Sequence, residues 1–249
     1  MTGRVMIIGL GPGPAKWVTP EASALLAEAT DIIGYGPYVD RVPPSPAKRH
    51  ASDNRVEVDR ARHALELASG GARVAVVSGG DPGVFAMAAA VFEAVEAGDP
   101  AWRDLDITVV PGVTAVLAAA ARLGAPLGHD FCVISLSDNL KPWSIIEKRL
   151  VAAVEGDFVL AFYNPASKAR PDQIGRAFDV LRRHAGERIV VLAKAVGRPD
   201  EEIIVTSLSA VKPEEVDMRT LVLIGSSQTR SIERSKAEPW IYSPRRWDT

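Results

Sequence analysis

Residues 73–95 read RVAVVSGGDPGVFAMAAAVFEAV. An apolar run of strand length (RVAVVS, 73–78) breaks at paired glycines, and an Ala-rich segment of helical length follows. The same grammar occurs twice more. VMIIG near the start leads into Gly9-Leu10-Gly11-Pro12-Gly13, and DITVV (106–110) leads into Pro111-Gly112-Val113-Thr114-Ala115 and a further Ala-rich helix. With DIIGY at 31–35, this alternation of strands and helices predicts a parallel sheet covered by helices. The three loops then fall at the C-terminal ends of strands in one sheet, where open α/β folds gather their ligands.

Each loop alone carries limited information. GLGPG follows a strand, but the third glycine of a dinucleotide fingerprint would fall at Pro14, and the next helix starts only near Pro20. No Lys-Ser or Lys-Thr pair follows, which excludes a P-loop. In Ser78-Gly79-Gly80-Asp81-Pro82-Gly83-Val84, paired glycines let a ligand approach the backbone and a carboxylate can accept bonds from an ammonium or hydroxyl group; Asp-Pro-Gly is equally a turn or helix start. Thr114 is also a natural helix N-cap.

The 249 residues, 47% hydrophobic, suffice for two modest domains. Lys and Arg number 29 against 31 Asp and Glu, a formal net charge of -2, so no overall field favours nucleic acid as a partner. The one cysteine, Cys132 in FCVIS, excludes an intrachain disulfide or a Cys-based metal cage and is read as core packing. The four histidines, His50, His63, His129 and His184, lack ligand spacing, and no metal is expected; His63 and His184 are read as helix-surface residues. The start MTGR lacks a secretory apolar region, and no apolar stretch approaches about 18 residues. The expectation is a cytoplasmic protein without membrane association.

Thr19-Pro20-Glu21 marks the start of a first helix running to about Ala29, and Asn54 with Glu57 three residues on reads as a capping box. LGAPLGHD (123–130) is a Gly/Pro-rich linker candidate after the helix of 113–122. The expected organisation is an N-terminal α/β domain over 1–124, a C-terminal domain over 125–230 and a polar tail over 231–249, loosely ordered or draped on the body, with Trp240 and Trp247. In the second domain FCVISLS, DFVLAFY, RIVVLAK, EEIIVTS and TLVLIGS alternate with few helices, which predicts a mixed sheet with antiparallel pairs.

Taken together and in this order, GLGPG, GGDP, PGVTA and the Tyr163-Asn164-Pro165 element resemble the tetrapyrrole methylase family, over residues 4 to about 230. Ile33-Gly34-Tyr35-Gly36-Pro37-Tyr38, His50-Ala51-Ser52-Asp53-Asn54-Arg55 and Phe162-Tyr163-Asn164-Pro165-Ala166-Ser167 are similar to the branch that methylates precorrin-3B at C17 and contracts the ring to precorrin-4. The resemblance implies S-adenosylmethionine as methyl donor, S-adenosylhomocysteine as product, a two-domain α/β fold with the active site in the cleft between the domains, a homodimer, and transient contact with neighbouring pathway enzymes.

By the same resemblance, Gly79, Gly80 and Asp81 hold the methionine end of the cofactor, with Val84, Thr114 and Ala115 beside them. Asn164 is a cofactor contact, Ala195 and Val196 lie near the adenine, and Pro12 sits where cofactor and tetrapyrrole meet. Where uroporphyrinogen methyltransferases carry a Tyr-Asp pair, this sequence has Tyr35-Gly36, so that aspartate's role cannot be carried over. Ring contraction still requires a base, for which Asp53, His50 and Glu57 are candidates. A polycarboxylate substrate needs cations for charge-assisted bonds, and Lys48, Arg49, Arg55, Lys168 and Arg170 are the basic candidates. The readings left open are a cobalt-bearing substrate or another ring carbon, a macromolecular methyl acceptor, a noncatalytic tetrapyrrole carrier, and a nicotinamide-dependent dehydrogenase.

Overall fold

The computed structural model describes residues 3–53, 56–167 and 169–247, and divides into two compact units, Met1–Thr114 and Ala115–Thr249. The first unit holds β1 (Arg4–Gly9), α1 (Pro20–Glu28), β2 (Asp31–Tyr35), α2 (Gly36–Val39), β3 (Lys48–Ser52), α3 (Glu57–Ser69), β4 (Arg73–Ser78), α4 (Met87–Ala97) and β5 (Asp106–Val110). Its sheet is wholly parallel, in the order β3-β2-β4-β1-β5. Side-chain alternation along the strands loads both faces. Val5, Ile7, Ile33, Val74 and Val76 pack with α3 and α4 through Ala61, Ala64, Leu65, Val91 and Ala94. Met6, Ile8, Ile32, Ala75 and Val77 pack on the other face with Ala22 and Leu26 of α1 and with Val39 and Val42.

Helix α1 starts where Thr19-Pro20 predicts, with the Ala22 N–H donating to Thr19 Oγ1 at 3.1 Å. The capping box expected at Asn54 and Glu57 takes another form. Helix α3 begins at Glu57 itself with Val56 as N-cap, so Glu57 is the first helical residue rather than the third; Asn54 lies outside the described residues. Strand β3, the polar segment KRHAS, is an addition to the strands read from sequence.

The second unit holds α5 (Ala115–Leu123), β6 (Gly124–Ala125), β7 (Phe131–Ser135), α6 (Trp143–Glu155), β8 (Val159–Tyr163), α7 (Gln173–His184), β9 (Ile189–Lys194), β10 (Glu202–Ser207), β11 (Thr220–Ile224), β12 (Arg230–Ile232) and β13 (Trp240–Tyr242). Its main sheet runs β10-β9-β11-β8-β7. Only β7 and β8 pair in parallel; β11 is antiparallel to both β8 and β9, and β10 is antiparallel to β9. This is the mixed sheet expected from the late strands. Helices α6 and α7 cover one face, with Ile146, Leu150, Ile174, Phe178 and Leu181 packed on Leu160, Phe162, Val190, Leu192 and Val222. Cys132 packs partly buried against this core, and burial pushes its thiol up.

Two boundaries differ from the sequence expectation. The Ala-rich helix assigned to the first domain belongs to the second unit, because α5 packs on β11, β6 and β13. The expected tail over 231–249 is tied down in part. Strand β13 pairs with β12 and, in parallel, with β6 in the linker candidate, Ile241 is buried, and Ser243 Oγ donates to Pro126 O at 2.7 Å. One apolar side chain and one buried hydroxyl within a polar stretch are enough to fix it.

Candidate functional site

In the first unit the register Gly9↔Ser78 and Ile8↔Val110 brings the ends of β1, β4 and β5 together as three adjacent strands. The three glycine loops therefore leave the sheet side by side, and they interlock through backbone. The Leu10 N–H donates to Ser78 O at 2.9 Å and the Gly11 N–H to Gly80 O at 3.1 Å. A Cβ on Gly112 would lie 2.4 Å from Gly80 O and 2.9 Å from Gly9 Cα, and one on Gly9 would lie 2.7 Å from Gly112 N. Only residues without side chains allow this approach. Gly80 holds φ +77, and the direction its Cβ would take is open, with Val113 O and Thr114 Cα nearest at 3.9 and 4.0 Å.

Asp81 braces this junction. Its Oδ1 accepts the Gly83 N–H at 2.8 Å and its Oδ2 accepts the Gly112 N–H at 3.0 Å, so the carboxylate expected to grip a ligand also ties the second loop to the third. Gly79 lies against the Tyr38 ring, 2.6 Å from where its Cβ would be. Val84 and Ala115 are partly exposed, Thr114 is buried, and Pro12 lies partly exposed in the first loop.

Three further side chains fix backbone within their own units, and two of them, Arg41 and Arg60, were not singled out from sequence. Arg41 Nη2 donates to Leu10 O (3.0 Å), Gly11 O (2.9 Å) and Gly13 O (2.9 Å), clasping the whole GLGPG turn from beyond α2. Arg60 on α3 is buried. It donates from Nε to Ser52 Oγ at 2.8 Å and from Nη2 to Asp53 O at 2.7 Å, fixing the chain where β3 ends; burial pulls its guanidinium down from the usual range, against the charges of Glu57 and Tyr38. In the second unit, Tyr163 Oη accepts the Val116 N–H at 2.9 Å and so caps the first turn of α5.

The description "Tetrapyrrole (Corrin/Porphyrin) Methylases" belongs to the family whose model matches residues 4–212. The chain is a member of this family. It is 53% identical over 247 residues to the Precorrin-3B C(17)-methyltransferase of Sinorhizobium sp, covering 98% of this chain and 97% of that protein. It is 48% identical to the Cobalamin biosynthesis protein CobIJ of Mycobacterium bovis over 99% of this chain, spanning 49% of that longer protein. Among solved structures it is similar to the methyltransferase CobJ, with a TM-score of 0.92 and 55% identity, covering 97% of this chain and 100% of that one.

The methylase separates the three base candidates. Asp53 is exposed, one residue past β3, on the sheet edge that carries the glycine loops, and Glu57 opens α3 just beyond it. His50 turns elsewhere. Its Nε2 shares a 2.8 Å hydrogen bond with Asp31 Oδ1, and its Nδ1 lies 3.3 Å from His63 Nε2. Asp31 is the first residue of β2, so this group sits toward the N-terminal ends of the parallel strands, about 10 Å of chain from the loops. Burial pushes the Asp31 carboxyl up, but hydrogen bonds from His50 and Thr30 and the charges of His50 and Lys48 outweigh it and hold it below the usual range. His63 is an exposed residue of α3, as expected, with its ring beside that of His50.

The basic candidates also separate. Lys48 begins β3, at the end away from the loops. Arg49 donates Nη1 to Val39 O (2.7 Å) and Nη2 to Val42 O (2.9 Å) and Pro43 O (2.7 Å), closing the end of α2. Arg55 and Lys168 lie outside the described residues. Arg170 follows β8 and is held close to Asp138.

On the main sheet of the second unit, β7, β8 and β9 all run the same way, so Asn164 and Ala195 leave from one edge. Both adopt left-handed backbone, with φ +51 and +50, a conformation that costs a residue with a Cβ about 1–2 kcal/mol and recurs where function dictates backbone. Asn164 Nδ2 donates to Ser135 Oγ at 3.0 Å, the Ala195 N–H donates to Arg219 O at 3.0 Å, and Val196 beside it is buried. Among the described residues no group of three or more His, Cys, Asp or Glu is placed to hold a metal, and no helix is long and apolar enough to cross a membrane.

Proposed function

We propose that this chain transfers a methyl group from S-adenosylmethionine to C17 of precorrin-3B and contracts the macrocycle to precorrin-4, a step of cobalamin biosynthesis. The observation that carries the reading is the 53% identity, over nearly the full length of both chains, to a protein of that name. The geometry supports it. Transfer from a sulfonium supplies an activated methyl and a neutral leaving group, so the protein's share is alignment. Backbone loops with their glycines packed against one another suit that task, since every donor and acceptor they offer is rigid.

The methionine end of the cofactor belongs beside Gly79 and Gly80, where the open direction at Gly80 admits a ligand that a side chain would exclude, with Asp81, Val84, Thr114 and Ala115 shaping the same loops. Asn164, Ala195 and Val196 are assigned to the cofactor, and Pro12 to its border with the tetrapyrrole. Of the three base candidates Asp53 is favoured, because Arg60 fixes its backbone and its exposed position leaves the carboxyl accessible; Glu57 is second, and His50 is committed to Asp31. Arg170 is the basic candidate best placed for a substrate carboxylate. The chain works as a cytoplasmic homodimer; Phe85, Phe92 and Val109 in the first unit and Leu117, Phe131 and Trp240 in the second supply large exposed apolar side chains for interfaces.

The test is to incubate the purified protein with S-adenosylmethionine and precorrin-3B without cobalt and to follow the mass and absorption spectrum of the tetrapyrrole. A gain of one methyl with a contracted chromophore is expected. Turnover of only the cobalt-bearing analogue would move the protein to the cobalt-first reaction, and tetrapyrrole binding without loss of S-adenosylmethionine would make it a carrier.

A further inference from the structure

Strands β9 and β10 of the second unit pair from Lys194↔Glu202 onward, so residues 195–201 form the loop that joins them. Two turns follow one another in it. The Arg198 N–H donates to Ala195 O at 2.9 Å, and the Glu201 N–H to Arg198 O at 3.0 Å. Val196 and Gly197 are the central residues of the first turn, and Gly197 holds φ +78, as a turn with glycine in third place requires. Ala195, which opens it, is left-handed as well. Such backbone persists where its surroundings over-determine it, and one side chain supplies that constraint. Glu201 Oε2 accepts the Gly197 N–H at 2.5 Å, and its Oε1 accepts from Arg122 Nε at 2.8 Å.

The first bond sets a direction. A trans peptide carries its N–H and C=O on opposite sides, so by taking the Gly197 N–H the carboxylate turns the Val196 carbonyl away from itself. Turn types differ chiefly in which way this central peptide faces, and Glu201 decides it here. The second bond anchors the carboxylate. Arg122 stands in the last turn of α5, two helical turns after Ala115 at its start, and Tyr163 caps that start through the Val116 N–H. As an ion pair the Arg122–Glu201 contact is 40% and 24% exposed and contributes little stability by itself. Burial pushes the Glu201 carboxyl up, but the bonds from Arg122 and the Gly197 N–H and the charge of Arg122 outweigh it and hold it below the usual range. We propose that Glu201, anchored by Arg122, is a positioning residue for the cofactor: it holds the Val196–Gly197 peptide in the orientation that the adenosine half of S-adenosylmethionine meets. This rests on the assignment of Ala195 and Val196 to the cofactor above. Glu201 acts through the peptide that it holds, so its effect falls on cofactor binding rather than on the chemical step.

Two ligands of different length give the test. The full-length protein is titrated by calorimetry with S-adenosylhomocysteine and with 5′-methylthioadenosine, which keeps the adenosine half and lacks the amino-acid end; steady-state constants are measured in parallel. Glu201→Ala is expected to weaken both ligands by the same factor, about tenfold, and to raise KM for S-adenosylmethionine by as much. KM for precorrin-3B and kcat should stay within about twofold of wild type. Glu201→Gln, with one oxygen for two donors, is expected in between. A merely structural role would lower Tm and leave cofactor affinity, measured well below Tm, unchanged. Should Glu201→Ala fail to fold, Arg122→Met, which keeps the carboxylate but removes its anchor, carries the same expectation at about threefold. Wild-type affinity for both ligands in the Glu201 and Arg122 variants overturns the inference alone. So does a loss for S-adenosylhomocysteine that methylthioadenosine does not share, or an equal loss for precorrin-3B. A wild type that binds neither ligand overturns the cofactor assignment and this inference with it. One that binds both but leaves precorrin-3B unchanged overturns only the substrate reading, and the binding comparison still decides the role of Glu201.

Discussion

Gly112→Ala puts the interlocked loops under direct test. The added methyl would fall 2.4 Å from Gly80 O and 2.9 Å from Gly9 Cα, about 1 Å inside ordinary heavy-atom contact. Both obstacles are backbone in loops anchored to adjacent strands, so neither can swing aside. Relief requires the second and third loops to separate, which lengthens the bond from the Gly112 N–H to Asp81 Oδ2, now 3.0 Å. That charge-assisted bond contributes about 1.5–3 kcal/mol, and overpacking adds about 1–3 kcal/mol. The substitution should lower Tm by roughly 5–12 °C for a chain of this size. Binding of S-adenosylhomocysteine, read by calorimetry, should weaken by about 10–100-fold. Gly36→Ala is the control, since a Cβ there meets nothing within 4 Å; it should leave both quantities near wild type. If Gly112→Ala kept wild-type affinity and Tm, the backbone-cradle argument would be refuted.

Three further substitutions test particular bonds. Tyr163→Phe leaves the N–H of the buried Val116 without its partner and should destabilise the second unit by about 1–2 kcal/mol in denaturant unfolding; a loss under 0.3 kcal/mol would mean that the hydroxyl caps nothing. Asp157 accepts from Ser227 N at 2.8 Å, Ser227 Oγ at 2.6 Å and Arg188 Nη2 at 3.0 Å, so Asp157→Ala strands a largely buried guanidinium and should cost about 2–4 kcal/mol, checked by the same measurement. The Asp31 carboxyl is held below its ordinary range in the fold, so the native state binds fewer protons than the unfolded one there. Its contribution is full at neutral pH and is lost as pH falls below about 4. His50→Ala removes the hydrogen bond that sustains the shift, and should reduce stability at pH 7 by about 1 kcal/mol with a smaller difference at pH 3. An equal loss at both pH values would exclude the linkage.

The sheet of the first unit was legible because its strands are apolar on both faces and end in glycine loops. The runs at 31–35, 73–78 and 106–110 coincide with β2, β4 and β5. β3 was not legible. It is an edge strand of polar residues, and KRHAS satisfies a solvent-facing edge while showing none of the alternation that marks a buried strand. The placement of α5 escaped for a different reason: an Ala-rich helix shows that it packs, but not on which sheet. The direction of the His50 ring was not legible either. The segment marked the family, yet the ring's direction depends on Asp31 and His63, partners 19 and 13 residues away, and no local pattern encodes them.

The loops were visible as glycine patterns, and Asp81 with them, whereas the bonds by which Asp81 and the two arginines fix backbone were not, and the reason is physical. Arg41, Arg60 and Asp81 all grip backbone atoms: the carbonyls of Leu10, Gly11, Gly13 and Asp53, and the N–H groups of Gly83 and Gly112. Every residue except proline has such an N–H and every residue has such a carbonyl, so the partner leaves no mark in the sequence, and only the fold shows which one is within reach. A site that works by alignment rather than by reactive side chains will conceal its supports in this way. Substituting Arg41 should therefore resemble a glycine substitution in the loop it clasps: Arg41→Ala releases three carbonyls at once and should lower methyl transfer by about a hundredfold, the scale of a 1 Å misplacement. Partial restoration by added guanidinium is expected in single-turnover assays. An Arg41→Ala enzyme at wild-type rate would show that GLGPG holds its shape unaided.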